Sequence, residues 1–225
     1  MREVLILAGG LGTRLRDISG ELPKSMVLVG GIPFLYRLMQ KAQSEGFDKI
    51  VLALGYKSDY IRDRILIDLP VDIQVVFSIE SEPLGTGGAI KNAYRLLQND
   101  TFLVINGDTF VDYNLGYFFD NSLGLDLSIL AVKLEDVDRY GAIEFDSNGK
   151  VTKFIEKGLV GSGYINSGAY VLNKKILDCI SGFKFSFEED ILFARSSEVR
   201  VFAFQGIFID IGIPEDYHKA DKMFS

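Results

Sequence analysis

Two side chains that often carry catalysis or bind metals are scarce in this sequence. Its 225 residues include one cysteine, Cys179, and one histidine, His218. A single cysteine excludes an intrachain disulfide and any multi-cysteine metal site, and its neighbours Ile176 and Ile180 predict a packed helix face. A single histidine excludes multi-histidine zinc sites and argues against histidine-based triads. We therefore expect chemistry that depends on carboxylates, cations and hard metal ions.

Long hydrophobic runs and a targeting segment are also missing. No apolar run approaches the ~18 to 20 residues that a membrane-spanning helix needs. The first predicted strand starts directly after Met1-Arg2-Glu3, which leaves no room for a signal peptide. We therefore expect a cytoplasmic protein with no membrane partner.

Positive charge is in deficit. The chain carries 31 acidic and 24 basic side chains, which gives a net charge of −7, and it has no run of Lys or Arg. Because a polyanion binds to a basic surface, this balance argues against a nucleic-acid partner. Residues 1–30 are the one locally basic stretch, and they contain a glycine-rich segment.

Apolar periodicity predicts an α/β fold, a Rossmann-like, doubly wound and mostly parallel mixed sheet with a smaller β-rich extension. Through residue 105, strands at 3–8, 49–54, 73–77 and 101–105 alternate with helices at 33–45, 58–67 and 86–98. Continuous apolar runs such as residues 50–54 are typical of parallel strands covered on both faces.

The pattern changes after about residue 125. Predicted strands lie at 127–132, 142–145, 151–155, 164–172, 199–204 and 207–210, with helices at 174–180, near 187–195 and from Pro214. No linker, repeat or low-complexity segment interrupts the chain. We therefore expect a single domain, 1–225, with two functional halves, 1–110 and 111–225.

The most informative motif is Gly9-Gly10-Leu11-Gly12-Thr13-Arg14-Leu15, which directly follows the first strand. Three glycines in four positions let the backbone adopt positive φ and approach a ligand, so that N–H groups can converge on phosphate oxygens. Arg14 and Lys24 would add positive charge. The spacing matches neither the P-loop nor the dinucleotide-binding fingerprint. The alternative is a plain tight connection without a ligand.

Two further polar segments follow predicted strands, where open α/β sheets bind their ligands. Residues 78–88, with the sequence SIESEPLGTGG, open a helix and could wrap around a flat ring. Glu80 or Glu82 could accept hydrogen bonds from ring donors, and the alternative for either is a solvent-facing acid at a helix entry. Asn106-Gly107-Asp108 ends the next strand, so three strand ends converge on one crevice.

Two aspartates are candidate ligands of Mg²⁺, which prefers hard oxygen donors and can complete its shell with phosphates. Asp108 directly follows a buried strand, and Asp210 interrupts an otherwise apolar one. An unpaired acid is expensive to bury, which singles out Asp210. The alternative for Asp210 is a helix-capping or salt-bridged acid.

Polar residues of the second half suit a sugar and its phosphate. Tyr140-Gly141, Glu156-Lys157 and Asn166-Ser167-Gly168 lie where they could face the same crevice. Each of them is individually a weak signal, since Lys157 could equally be a solvated lysine.

In this order, the motifs resemble those of the sugar-1-phosphate nucleotidylyltransferases, which join a nucleoside triphosphate to a sugar phosphate and release pyrophosphate. The resemblance covers the whole chain. It implies a GT-A-like fold in which residues 1–110 bind the nucleotide and the β-rich residues 111–225 bind the sugar phosphate. One departure is Ser25, where the family usually has proline after the lysine.

The resemblance also implies roles for individual residues. It gives catalytic roles to Arg14, Lys24 and Asp108, and the binding of Mg²⁺ to Asp108 and Asp210. The residues implied in nucleotide binding are Leu7, Ala8, Gly9, Gly10, Gly12, Thr13, Arg14, Lys24, Glu80, Pro83, Gly85, Thr86, Gly107 and Asp108. Those implied in sugar-phosphate binding are Tyr140, Gly141, Glu156, Lys157, Asn166 and Gly168.

Within this family, residues 78–89, 138–141 and 208–217 are most similar to bacterial D-glycero-α-D-manno-heptose 1-phosphate guanylyltransferases. That similarity implies GTP and heptose 1-phosphate as substrates and GDP-heptose as a product. A carboxylate at Glu80 would suit guanine, whose N1–H and N2–H₂ are adjacent donors. The sugar phosphate supplies its own anionic nucleophile, because the second pKa of a phosphate monoester is about 6, so no general base is needed.

Alternatives remain open at this stage. Mannose-1-phosphate guanylyltransferases and other sugar-1-phosphate nucleotidylyltransferases share these motifs. A nucleotide-sugar glycosyltransferase would be expected to carry D-x-D after the fourth strand, where this chain has Asp108-Thr109-Phe110-Val111-Asp112. An inactive nucleotide sensor would be expected to lose Lys24 or a metal-binding acid, and none is lost. The oligomeric state is not indicated.

Overall fold

The computed structural model describes residues 1–10, 12, 15 and 20–225. Its strands are β1 Glu3–Leu7, β2 Leu28–Val29, β3 Ile32–Pro33, β4 Lys49–Leu54, β5 Gln74–Ile79, β6 Thr101–Asn106, β7 Thr109–Val111, β8 Leu127–Leu134, β9 Ala142–Phe145, β10 Val151–Ile155, β11 Gly163–Asn173, β12 Arg200–Phe204 and β13 Phe208–Asp210. Its α-helices are α1 Phe34–Ser44, α2 Ser58–Asp68, α3 Gly85–Ala93, α4 Leu115–Asn121, α5 Lys175–Asp178 and α6 Pro214–Phe224. Glu188–Phe193 forms a π-helical segment.

Seven of the described strands form one sheet in the order β12-β8-β11-β6-β1-β4-β5. β1 is parallel to both of its neighbours, β4 and β6, and β4 is parallel to β5. β11 is antiparallel to β6 and β8, and β12 is parallel to β8. The predicted mostly parallel mixed sheet is therefore confirmed.

Hydrophobic cores cover both faces of this sheet. Because side chains alternate along a strand, Val4 and Ile6 of β1 join α1 in one core, whereas Leu5 joins α3 and the π-helical segment in the other. All six residues of β4 are buried for the same reason. Two covered faces explain why these strands read as continuous apolar runs.

The β-rich second half both extends the main sheet and adds small pairs to it. β8, β11 and β12 continue the main sheet beyond β6. β9 and β10 form an antiparallel hairpin of their own. β7 and β13 form another antiparallel pair, which sets Asp210 opposite Thr109. This last pair brings the end of the chain to the carboxyl end of β6.

Several elements differ from the sequence prediction. The β2–β3 hairpin and β7 were not predicted, because they are too short to show a periodicity. α4 was not predicted either, although it has an N-cap: the Asn114 side chain accepts a hydrogen bond from Tyr117 N over 2.7 Å. α3 ends at Ala93 and is followed by a 3₁₀ turn instead of reaching residue 98. Cys179 is exposed, because Ile176 and Leu177 form the packed side of α5.

Among the helices of the described residues, none is long and apolar enough to cross a membrane.

Candidate active site

The carboxyl ends of β1, β4, β5 and β6 enclose a cleft with a volume of about 610 Å³. Open α/β sheets bind their ligands at this edge. The wall consists of Leu7, Gly9, Gly10, Ala53, Gly55, Tyr56, Glu80, Ser81, Glu82, Pro83, Gly85, Thr86, Ala89, Asn106 and Asp108. Most of the residues predicted to bind the nucleotide therefore line one cavity. We refer to it as the nucleotide cleft, after the ligand that the sequence predicts for it.

Some predicted nucleotide-binding residues lie outside this wall. Ala8 and Gly107 are buried behind it, and their N–H groups donate to Ala53 O and Leu7 O, each over 2.9 Å. Gly12 and Lys24 lie beside the wall without forming part of it. Thr13 and Arg14 lie outside the described residues, so their predicted roles stay predictions.

The glycines of the first loop have different tasks. Gly9 packs backbone to backbone against Gly55, since a Cβ on Gly9 would lie 3.0 Å from Gly55 N. Gly12 has a φ of 62°, and a Cβ there would lie 2.7 Å from the Cβ of Lys24. Gly10 is exposed, with no described atom within 4 Å of its Cβ position. Of the three, Gly10 is the one that leaves room for a ligand.

Lys24, Asp108 and Asp210 form a charged cluster at the end of the nucleotide cleft. The Lys24 ammonium donates to Asp108 Oδ2 over 2.5 Å and lies 3.9 Å from Asp210 Oδ1. The Lys24 side chain is only 12% exposed. Opposite charges in such a partly dry setting attract more strongly than they would in water.

The β7–β13 pair assembles this cluster from distant parts of the chain. Ile211 N donates to Asp108 O over 3.0 Å, which ties the end of β13 to the turn that carries Asp108. Gly212 N donates to Asp210 Oδ1 over 2.7 Å and orients that carboxylate. A Cβ on Gly212 would lie 2.8 Å from Lys24 Nζ, so a larger residue would force the ammonium to shift.

Glu80 is the partly buried acid of the cleft. Its carboxylate Oε2 accepts a hydrogen bond from Leu84 N over 3.3 Å. Burial raises the pKa of Glu80, and the Leu84 N–H offsets only part of that rise. Glu82 also lines the cleft but is exposed. Glu80 is less exposed than Glu82, so its carboxylate has less access to water as a hydrogen-bond donor. A ligand that fills the cleft without donating to Glu80 would therefore cost more free energy there than at Glu82.

The start of α3 is covered by residues 183–188, which the sequence analysis did not assign to the site. Thr86 Oγ1 donates to Glu188 Oε2 over 2.6 Å and accepts from Phe187 N. A Cβ on Gly88 would lie 2.0 Å from Phe183 O, and one on Gly87 would clash with the ring of Phe185. These two glycines therefore serve packing, and Gly85 and Thr86 line the cleft.

Five of the six residues predicted to bind the sugar phosphate fall into two groups, and the sixth is Tyr140. Gly141, with a φ of 73°, lies against the backbone that leads to Glu156 and Lys157, since a Cβ there would lie 2.5 Å from Ile155 O. Glu156 and Lys157 are exposed. Asn166 and Gly168 lie instead at an irregularity in β11, where Gly168 N donates to Asn166 Oδ1.

Asn166 and Gly168 adjoin the nucleotide cleft. A Cβ on Gly168 would lie 2.6 Å from the side-chain nitrogen of Asn106, which lines the cleft. Asn166 Nδ2 donates to the hydroxyl of the buried Tyr170 over 2.7 Å. Irregular strand geometry of this kind often re-aims side chains next to a site.

Tyr140 lies close to the charged cluster. Its hydroxyl donates to Asp216 Oδ2 over 3.3 Å. Burial, together with the negative charges of Asp216 and Asp210, raises the pKa of Tyr140 to about 12. Tyr140 is therefore a neutral hydrogen-bonding group near Asp210.

Comparison with known proteins identifies the family. The model of the family described as nucleotidyl transferase matches residues 3–224. The chain belongs to this nucleotidyl transferase family.

Individual relatives match over nearly their whole length. The D-glycero-alpha-D-manno-heptose 1-phosphate guanylyltransferase of Aneurinibacillus thermoaerophilus is 39% identical, over 98% of this chain and 97% of that protein. The enzyme of the same name from Campylobacter jejuni is 38% identical, over 96% of this chain and 97% of that protein. The crystal structure of HddC from Yersinia pseudotuberculosis complexed with GMP-PN is 49% identical, with a TM-score of 0.92 and full coverage of both chains.

The acids of this nucleotidyl transferase fit a divalent cation that also binds phosphates. Asp108 and Asp210 both contact one ammonium, which places two hard oxygen donors around a common cationic position. Within the described part of the chain, no group of three or more His, Cys, Asp and Glu side chains is suited to hold a metal. Two carboxylates beside the nucleotide cleft suit a divalent cation that keeps other coordination sites for phosphate oxygens and water.

Sequence reasoning about this transferase missed Gly55 and Tyr56 in the wall of the cleft, and Glu188, which contacts Thr86 of that wall. Gly55 and Tyr56 follow β4 in the same way as Gly9 and Gly10 follow β1, so the strand-end rule could have found them. Glu188 had no local signal, because it reaches α3 only through the tertiary packing of the π-helical segment.

Proposed function

We propose that this protein transfers the GMP moiety of GTP to D-glycero-α-D-manno-heptose 1-phosphate, forming GDP-heptose and pyrophosphate. The observation that carries the proposal is the cluster of Lys24, Asp108 and Asp210 at the end of a cleft of nucleotide size. Two relatives of that name match along nearly their entire length, and the HddC structure with a bound GMP-PN adds support for a guanine nucleotide in the cleft.

In the proposed reaction, a phosphate oxygen of the sugar 1-phosphate attacks the α-phosphorus of GTP. A new P–O bond forms, and the bond from the α-phosphorus to the pyrophosphate oxygen breaks. No proton has to be removed, because a phosphate monoester with a second pKa of about 6 is already a dianion at neutral pH. The protein therefore needs to position two anions and to offset the charge that moves to the leaving group.

Positive charge for this step would come from Lys24 and, by the family resemblance, from Arg14. Lys24 is held beside both acids, where it would interact with phosphates at the α-position. Asp108 and Asp210 would hold Mg²⁺, which neutralises triphosphate charge when bound. Lys24 would then stabilise the negative charge that moves to the leaving pyrophosphate, and this charge is larger in the transition state than in the bound substrates.

Guanine would be read by Glu80. The N1–H and N2–H₂ groups of guanine are two adjacent donors, and a carboxylate accepts from both. Because Glu80 is partly buried, a base without these donors would leave a desolvated acceptor without a partner. Glu82 is the competing reader, since it lines the same cleft.

The sugar phosphate would be held by residues of the second half, namely Tyr140, Gly141, Glu156, Lys157, Asn166 and Gly168. As part of the same proposal, residues 1–225 act as one domain whose halves, 1–110 and 111–225, bind the nucleotide and the sugar phosphate. One sheet containing strands from both halves supports this view. We also propose that the enzyme acts in the cytoplasm.

A pyrophosphate-release assay tests the proposal. The purified protein is incubated with Mg²⁺, each of the four nucleoside triphosphates and either heptose 1-phosphate or mannose 1-phosphate. We expect the highest kcat/KM for GTP with heptose 1-phosphate. A higher value with mannose 1-phosphate would make the protein a mannose-1-phosphate guanylyltransferase, and preference for another base would reject the guanylyl assignment.

A further inference from the structure

A second cavity, with a volume of about 270 Å³, lies on the Asp210 side of the charged cluster. Arg139, Tyr140, Phe208 and Asp216 contribute to its wall together with Asp210. Asp210 Oδ1 is 3.9 Å from Lys24 Nζ, and Lys24 pairs with Asp108 in the wall of the nucleotide cleft. The cluster therefore contributes one acid to the wall of each cavity. A phosphate bound at the cluster could carry a sugar into this second cavity.

Asp216 organises the wall of this cavity. Its side chain is 12% exposed, and both of its oxygens are hydrogen-bonded. Arg139 donates to Oδ2 over 3.1 Å, as does the Tyr140 hydroxyl over 3.3 Å. Lys219 donates to Oδ1 over 3.1 Å. One carboxylate thus fixes three donors that come from two separate segments of the chain.

The ring of Tyr140 is fixed as well as its hydroxyl. It packs edge-on against Phe208, with the ring centroids 5.6 Å apart. The guanidinium carbon of Arg139 lies 5.5 Å from the Tyr140 ring centroid. These contacts hold the hydroxyl at a defined position, as recognition of a particular ligand group requires.

The charges of the cavity indicate the chemical class of its ligand. Among the described residues, its wall has four acidic side chains, Glu135, Asp136, Asp210 and Asp216, and two basic ones, Arg139 and Lys219. This excess of negative charge disfavours a phosphate or a carboxylate. Sugar hydroxyls are neutral and can donate to carboxylates, and the apolar wall at Phe208 and Ile209 suits the C–H groups of a sugar.

We propose that this cavity binds the exocyclic end of the sugar, remote from its phosphate, and that Asp216 positions Tyr140 and Arg139 to recognise the hydroxyls there. The inference rests on the proposed function. The manno-heptose ends in CH(OH)–CH₂OH where mannose ends in CH₂OH, so the heptose presents one more hydroxyl-bearing carbon. The cavity accordingly selects the heptose over the hexose.

The test compares heptose 1-phosphate with mannose 1-phosphate, at saturating GTP, in the wild type, Tyr140→Phe and Asp216→Asn. We expect each variant to lower the heptose-to-mannose ratio of kcat/KM by up to about tenfold, the effect of losing one hydrogen bond between neutral groups. The loss should lie in the KM for heptose 1-phosphate. The KM for GTP should stay within about twofold of the wild type, because neither Tyr140 nor Asp216 lines the nucleotide cleft.

Tyr217→Phe is the matched control. Tyr217 lies next to Asp216 in α6, and its hydroxyl donates to Leu28 O, away from the cavity. Loss of that hydroxyl should leave the sugar ratio unchanged. Thermal denaturation of all variants checks the fold, and if Asp216→Asn does not fold, Tyr140→Phe decides the question alone.

The outcomes separate the inference from the proposed function. A wild type that turns over GTP with heptose 1-phosphate, and variants that keep its sugar ratio, would overturn the inference and leave the proposed function standing. Equal losses with both sugars would also overturn it. A wild type that is inactive with GTP and heptose 1-phosphate would reject the proposed function and the inference with it.

Discussion

The ammonium of Lys24 and the carboxylate of Asp108 are 2.5 Å apart, although 84 positions separate them in the chain. The contact joins the segment that follows the glycine loop to the end of β6. Asp210 adds a second acid at 3.9 Å from the same ammonium. One ammonium and two carboxylates at the same place can together bind a metal ion, a triphosphate and a second phosphate. The first two predictions test this arrangement.

Lys24→Ala should lower kcat by about 100-fold or more with little change in the KM for the sugar phosphate, because charge near the reacting phosphates acts mainly in the transition state. Lys157→Ala is the comparison, since Lys157 is exposed and is proposed to bind the sugar phosphate. It should raise the KM for the sugar phosphate and keep kcat. Steady-state kinetics of both variants check the separation, and a Lys24 variant with a raised KM and normal kcat would contradict it.

Asp108→Asn and Asp210→Asn should each lower activity by about 100-fold or more and raise the Mg²⁺ concentration needed for half-maximal rate, because each removes a charged metal ligand but keeps the side-chain shape. Mg²⁺ titrations of the rate measure both effects. Asp112→Asn is the control, as Asp112 is an exposed acid just after β7. Normal turnover by either variant at low Mg²⁺ would remove that residue from the metal site.

Glu80→Gln should reduce the preference for GTP over ATP and UTP, which we expect to be about tenfold to a hundredfold in the wild type. A neutral amide both donates and accepts, so it discriminates less against bases without adjacent donors. Kinetics with all four triphosphates, in Glu80→Gln and Glu82→Gln, identify the reading residue. A change confined to Glu82→Gln would transfer the role to Glu82.

The same carboxylate predicts a pH effect. Burial raises the pKa of Glu80 above its ordinary value of 4.5, so Glu80 should take up a proton at a higher pH than an exposed glutamate does. The GTP preference of the wild type should therefore begin to fall while exposed glutamates are still ionised. In Glu80→Gln the preference should not change over that pH range.

Glu3→Gln should destabilise the protein by about 1–3 kcal/mol at pH 7. Glu3 is fully buried, and its carboxylate accepts from Gln98 N, Asn99 N and the Lys49 ammonium. Burial alone would raise its pKa, but these bonds outweigh it and the pKa lies below 4.5. The stabilisation is therefore complete above pH 4.5 and is lost as pH falls through the lower folded-state pKa.

Urea unfolding between pH 7 and pH 3 measures this effect. The stability difference between the wild type and Glu3→Gln should be largest at neutral pH and should shrink in acid. Glu144→Gln, an exposed position on β9, should match the wild type throughout. A constant difference across the pH range would show that the ionised carboxylate is not responsible.

The sequence predicted the main sheet because its strands are buried on both faces and leave long apolar runs. β4 has the predicted bounds, 49–54. β7 and β13 have three residues each, and their pairing depends on contacts between distant segments. A single sequence cannot give such pairing, so the closeness of Asp108 and Asp210 could be inferred only from the family resemblance.

The same limit applies within the site. Glu80 and Asp108 follow predicted strands and were found by that rule. The contact between Tyr140 and Asp216 depends on α6 returning to the loop after β8, which no local pattern indicates. The sequence predicts that Gly87 and Gly88 belong to a ring-binding loop, whereas in the structure they pack against residues 183–187.

The place of β6 between β1 and β11 has a consequence for work with fragments. A fragment that ends at residue 110 would lack β11 and leave one backbone edge of β6 without its hydrogen-bonding partner. Phe102, Leu103, Val104 and Ile105 would be presented along that open edge. Such an apolar edge is a template for intermolecular strand pairing. We therefore expect the isolated first half to aggregate on expression, even though it contains the whole glycine loop.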